Sequence, residues 1–517
     1  MRLRGAGEPS MHVNRRDFLR RSLCAALGGV SAYSALGSLR LISAAAAATR
    51  GSPPGDYKAL VCIYLGGGND SFNTLAPCDA PHHAVYAATR PGLALTQADL
   101  LANVLNPLPF AGGLPGGPPS DGASYGMHPS LGAVPGGNAG LRGLFNDGKA
   151  AIVANVGTLL YPISQAQYQN ESVPKPPQLY SHDDQTNQWM TARPDDANAE
   201  GWGGRVADML YTANAGALPM SITMAGSNRF QRAAIVNQYA LDSWNAAAQA
   251  AGVDEDGNPV DFFSVPGVSF RGNGPDSWLL PEDPARTAAL DALHAAGSQA
   301  NVLERAYAET SNRALANATL LNAAMNGVRL TTRFPNTDLG NQLAAVALML
   351  KVRTSLGMSR QVFFVSVGGY DTHSAQLIDH AANLREFSQA LAAFHAATVE
   401  LGIENGVTTF TTSDFGRSLA VNNLGTDHGW GAHHFVVGGA VRGGRFYGTM
   451  PSLAAYDDSD PAGSNPDDTG YGQIIPTLAV DQYVATLAAW FGVDASGIAD
   501  ILPNLGRFSS ANLRFLG

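Results

Sequence analysis

Four side chains able to bind a metal, Asp427, His428, His433 and His434, fall within eight positions of the stretch TDHGWGAHH. Just upstream, Val407–Thr411 is an uninterrupted β-branched and aromatic run, as a buried strand requires, and it leads into Asp414 before Gly416 ends it. A second apolar run, Phe435–Val437, follows and stops at Gly438-Gly439. Carboxylates and imidazoles gathered at strand tips offer hard oxygens and nitrogens to a divalent ion. Each histidine alone could be an inert loop residue with its own hydrogen bond. The cluster points instead to a metal-assisted hydrolase.

Two other strand ends carry the same punctuation. YKALVCIYL at 57–65 breaks into Gly66-Gly67-Gly68-Asn69-Asp70, and QVFFVSV at 361–367 breaks into Gly368-Gly369-Tyr370-Asp371-Thr372-His373. Neither glycine run has the spacing of a phosphate-binding loop, so a nucleotide site is not indicated. The glycines let the chain turn sharply while Asp70 and Asp371 project from C-terminal strand ends, where open α/β sheets place their sites. Ser181 opens SHDDQ ahead of a helix running through Trp189, a position that an ordinary N-cap would also explain. Arg417, three residues past Asp414, could clamp an anionic oxygen or simply join an ion pair.

The elements that must position these residues follow from periodicity. Strands are expected near 57–65, 150–156, 219–223, 361–367, 407–411 and 435–437, with helices over 284–326, 339–356, 375–401 and 480–491. Their alternation predicts an α/β fold with a mostly parallel sheet and helices on both faces. The chain has 517 residues, 45% hydrophobic and 14% charged, enough for a large core. The 58 glycines and 30 prolines place long ordered loops over it, chiefly at 79–148 and 225–330. Net charge is −10, which argues against a nucleic-acid partner. Residues 1–48 run the other way: Asn14-Arg15-Arg16-Asp17-Phe18-Leu19 is a twin-arginine motif, followed by a short apolar run and the alanine tract Ala44–Ala48. This predicts twin-arginine export, cleavage within that tract, a periplasmic or secreted location and no stable membrane span. Cys62 is expected to be a buried free thiol, and a bond to Cys78 is permitted outside the cytoplasm.

Taken together, GGGNDSFNTLAP at 66–77, GGYDTH at 368–373, SDFGR at 413–417 and TDHGWGAHH at 426–434 resemble the domain-of-unknown-function 1501 family, exported proteins similar to the alkaline phosphatase–sulfatase superfamily. The resemblance implies one alkaline-phosphatase-like three-layer domain over 49–517 after a signal at 1–48. It also implies a site at the strand ends, usually holding two divalent ions. By that resemblance Asp70, Asp371, His373, Asp414, Asp427, His428 and His433 or His434 supply ligands, and Ser181 is placed like the nucleophile, with His182 or water next in line. Phe415 stands where the superfamily carries a histidine. The implied function is a metal-dependent hydrolase of small anionic phosphate or sulfate esters, using one or two ions. Mixed nitrogen and oxygen donors favour zinc or manganese. The alternative is a non-catalytic binding or assembly protein with at most one metal. A Ser-His-Asp esterase is disfavoured because no GxSxG elbow surrounds Ser181 or Ser413. No protein partner beyond the export machinery is legible.

Overall fold

A computed structural model describes residues 56–517, apart from 114, 133–139, 244, 254–256, 258–291, 293–294, 296–300 and 460–463. The twin-arginine segment therefore lies outside the described residues, as does much of the expected 225–330 insertion. Residues Pro53–Gly517 form one compact unit.

The described strands are β1 (Lys58–Leu65), β2 (Leu75–Pro77), β3 (Tyr125–Met127), β4 (Ala150–Gly157), β5 (Ser221–Thr223), β6 (Tyr239–Ala240), β7 (Arg360–Val367), β8 (Val407–Ser413), β9 (Arg417–Val421), β10 (Thr426–His428), β11 (Ala432–Val437), β12 (Arg445–Tyr447) and β13 (Leu478–Ala479). Nine of them form the central sheet in the order β12-β4-β11-β8-β1-β7-β5-β6, with β13 also paired to β4. Every pairing in it is parallel except the two made by β11. β2 with β3, and β9 with β10, make two small antiparallel ribbons.

β1 shows why the sheet has two covered faces. Ala59, Val61, Ile63 and Leu65 join one apolar core, while Leu60 and Cys62 join the other, the period of two expected of a strand. The helices Asp338–Lys351 and Gln376–Glu400 bury leucine and alanine rows in the first core. His182–Thr191, Trp202–Met209 and Val480–Phe491 contribute Trp189, Trp202 and Leu487 to the second. Cys62 and Cys78 are both buried free thiols, and burial pushes the Cys62 thiol up to about 12. Among the described residues no helix is long and apolar enough to cross a membrane.

Register places the site. Leu65 of β1 lies opposite Val367 of β7 and opposite Ser413 of β8, so these three central strands end level. Within a few residues of that line stand Asp70, Asp371 and Asp414. β11 runs antiparallel, so its first residues, including His433 and His434, start at the same rim.

Candidate metal centre

Asp371 is the middle of the cluster. Its Oδ1 lies 3.1 Å from His373 Nε2 and 3.3 Å from His428 Nε2, and its Oδ2 lies 3.4 Å from His182 Nε2. His182, Asp371 and His428 each present a ligand atom within 4.8 Å of the others. All are partly open to solvent, with side-chain exposures from 26% for His428 to 44% for Asp371.

Hydrogen bonds assign the ring tautomers. His428 Nδ1 is 2.8 Å from the Tyr180 carbonyl, which only accepts, so Nδ1 carries the proton and Nε2 is bare. His182 Nδ1 lies 2.6 Å from Asp414 Oδ2 and by the same logic donates, so Nε2 is the nitrogen turned toward Asp371. Asp414 is itself pinned: its Oδ1 accepts from Tyr64 Oη at 2.5 Å and from the Gly67 amide at 3.0 Å. A carboxylate behind a histidine whose far nitrogen faces an open site is the arrangement that orients and strengthens metal-ligating imidazoles. Partial burial raises the Asp371 carboxyl, but the hydrogen bond and charge of Arg417 outweigh that and hold it below the usual aspartate value. Burial lowers His428, and its Tyr180 bond recovers only part of the loss.

The result is two imidazole Nε2 atoms turned on one ionised carboxylate. His373 Nε2, 3.0 Å from His428 Nε2, can donate to that nitrogen. A neutral His182 ring would set Nε2 and Asp371 Oδ2 lone pair to lone pair. A proton or a divalent cation between them resolves the repulsion, and two nitrogens plus an oxygen suit zinc or manganese.

The backbone is built for this approach. Gly67 has φ +116°, and a Cβ there would stand 2.3 Å from the Asp371 amide nitrogen. Gly68 has φ +88°, and its Cβ would lie 2.6 Å from the Phe415 ring. Phe415 is fully buried and forms an apolar floor, its ring centroid 4.9 Å from that of His182 and 4.8 Å from that of His428.

Of the residues singled out from sequence, Asp371, His373 and His428 converge, Asp414 backs His182, and Asp427 Oδ1 lies 3.4 Å from His373 Nδ1 while accepting from Asn422. Three others lie elsewhere. Asp70 is fully buried in an ion pair with Arg90 at 2.5 Å and accepts from Gln376 and the Phe72 amide. His433 Nδ1 accepts from the Asn155 amide, and burial holds this histidine at about 4. His434 packs between Trp189 and Tyr483, and burial lowers it to about 3. Arg417 is fully buried rather than offered to solvent. Its nitrogens reach Asp371 Oδ1 at 2.5 Å, the Gly67 carbonyl, Thr426 Oγ1 and the Thr426 carbonyl. Ser181 caps the helix His182–Thr191 and donates its hydroxyl to Asp184 Oδ2 at 2.7 Å.

The residue that sequence reasoning undervalued is His182, held only as a substitute nucleophile. Its signal was faint: a histidine at the first helical position, followed by two aspartates, reads as an ordinary capped helix start.

A level sheet rim carrying an imidazole–carboxylate cluster defines an α/β protein with one candidate site at its strand ends. Residues 57–468 match the model of the family described as Protein of unknown function (DUF1501), and the chain belongs to that family. Comparison with curated proteins finds no match.

Proposed function

We propose that this protein is an exported, metal-dependent hydrolase of small phosphate or sulfate esters, on an alkaline-phosphatase-like three-layer sandwich delivered by twin-arginine export to the periplasm or beyond. The observation that carries the reading is His182 Nε2 facing Asp371 Oδ2 at 3.4 Å, with His428 Nε2 on the other carboxylate oxygen at 3.3 Å. His182, Asp371 and His428 would hold one zinc or manganese ion, with His373 at the open side. When bound, the ion would supply positive charge to an ester oxygen and lower the pKa of a nearby hydroxyl or water. A single ion fits better than two, because Asp70, the other acidic strand end, is committed to Arg90.

The protein's own groups do the rest. Asp414 fixes the His182 tautomer, Arg417 keeps Asp371 ionised and aimed, and Phe415 closes the floor to water. Ser181 lies between Tyr180, whose carbonyl holds His428, and His182, and it is the proposed nucleophile. Asp184 is placed to accept its proton, but the hydroxyl must leave the helix cap to attack. Water is the competing nucleophile.

The committed Ser181 hydroxyl and the phenylalanine at 415 favour a second reading, a binding or assembly protein that keeps one metal and no chemistry. A panel of aryl phosphates and sulfates, run with zinc or manganese added, separates the two. Turnover lost in His182→Ala supports the hydrolase; metal uptake without turnover on any ester supports the binder.

A further inference from the structure

Asp70 closes the first strand motif, yet its carboxylate lies in the interior with Arg90, both side chains fully buried. A continuous run of hydrogen bonds leads from it to the cluster. Gln376 Nε2 donates to Asp70 Oδ2, and Gln376 Oε1 accepts from Thr426 Oγ1 at 2.7 Å. Thr426 Oγ1 accepts from Arg417 Nε at 3.2 Å, and Arg417 Nη1 donates to Asp371 Oδ1 at 2.5 Å. Gln376, Thr426 and Arg417 are all buried.

Polarity fixes every direction along this run. Arg417 can only donate, so Thr426 Oγ1 must accept from it, which turns the threonine proton toward Gln376 Oε1. That sets the Gln376 amide with its NH2 toward Asp70 Oδ2, which accepts from it. Arg90 pairs directly with Asp70 and donates further to the Ser418 and Leu419 carbonyls of β9.

We infer that Asp70 and Arg90 are not ligands but the anchor of a buried relay, Arg90–Asp70–Gln376–Thr426–Arg417, whose end group positions Asp371 for cation binding. The inference rests on the proposed metal site. It assigns positioning roles to Gln376 and Thr426, and it gives a role to an acidic residue beyond the end of β1 that does not reach the cluster. Buried hydrogen-bonded chains hold one geometry, and breaking a link loosens those beyond it; in this one every link between neighbours is made, while Arg90 Nε at the anchor has no partner among the described residues.

Thr426→Val tests it, because the change keeps the side-chain shape, removes only the hydroxyl, and leaves the backbone carbonyl that also holds Arg417. With zinc or manganese as the probe, titration calorimetry on the exported, mature protein should give a dissociation constant about 10-fold weaker for Thr426→Val. Thr426→Ser should restore it to within about twofold. Wild-type affinity in Thr426→Val would overturn the relay while leaving the metal site intact. Should the wild-type protein take up neither metal, the functional reading falls and the relay is judged by stability alone. Denaturation midpoints of Gln376→Met, Thr426→Val and the double variant then decide. A double-variant loss smaller than the two single losses combined supports coupling, and strict additivity overturns it.

Discussion

His182 Nδ1 stands 2.6 Å from Asp414 Oδ2, and that one bond turns the opposite nitrogen of the ring toward Asp371. The relationship spans 232 residues of sequence and joins a helix start to the end of β8. In the proposed one-ion site Asp414 is a supporting group behind His182. Asp414→Asn should therefore weaken zinc or manganese binding by about 10- to 100-fold, as loss of a carboxylate behind a ligating histidine does. Calorimetric titration measures it, and an unchanged affinity would show that Asp414 does not act through His182.

Neighbouring residues should separate by role. Ser181→Ala removes an N-cap bond and should cost about 1 kcal/mol of stability, with metal binding retained. His182→Ala should abolish most metal binding. Chemical denaturation and metal titration of both variants check the pair. Full esterase activity in Ser181→Ala would move the nucleophile to water.

Acid should unfold the protein well above the carboxylate range. Burial holds His128, His380 and His433 at about 4 and His434 at about 3, against 6.5 when unfolded. Above 6.5 both states are neutral there. Between 6.5 and about 4 the unfolded chain takes up protons that the native state refuses, so stability falls as pH falls, on the order of several kcal/mol across the four. Asp481 opposes this: burial raises it to about 7, so it favours the native state more as pH drops. Four groups outweigh one. The urea midpoint should drop steeply from pH 7.5 to pH 5, and a flat profile would contradict the buried histidines.

Export should depend on the arginine pair itself. Arg15→Lys with Arg16→Lys keeps the charge but removes the planar guanidinium fork, and should leave the precursor in the cytoplasm. Cell fractionation reads the result directly. Normal delivery of the double variant would remove the twin-arginine assignment.

Much of the scaffold was legible because buried parallel strands announce themselves as apolar runs stopped by glycine. The expected strands at 57–65, 150–156, 361–367 and 407–411 correspond to β1, β4, β7 and β8 with end shifts of a residue or two. Asp371 and His428 could be picked out because each follows or ends a strand. Asp70 carries the same local signature, but its fate depends on Arg90, twenty residues on and unmarked by any pattern. His433 and His434 looked like ligands because spacing does not reveal which side chains a strand buries. β11 turns them into the interior, against Phe72 on one side and Trp189 on the other. Arg417 was visible as a cation near a carboxylate, but its burial and its use in holding Asp371 depend on the β9–β10 ribbon. His182 was hidden because a helix start explains a polar residue without any ligand.

The proposed one-ion site is built on His182, Asp371 and His428. The direct measurement is elemental analysis of protein purified from its exported compartment, beside His182→Ala and Asp371→Asn prepared identically. One zinc or manganese per chain is expected in the wild type and a large loss in both variants, with each variant still folded by circular dichroism. Wild-type protein without metal, or with the same metal content as His182→Ala, would contradict it.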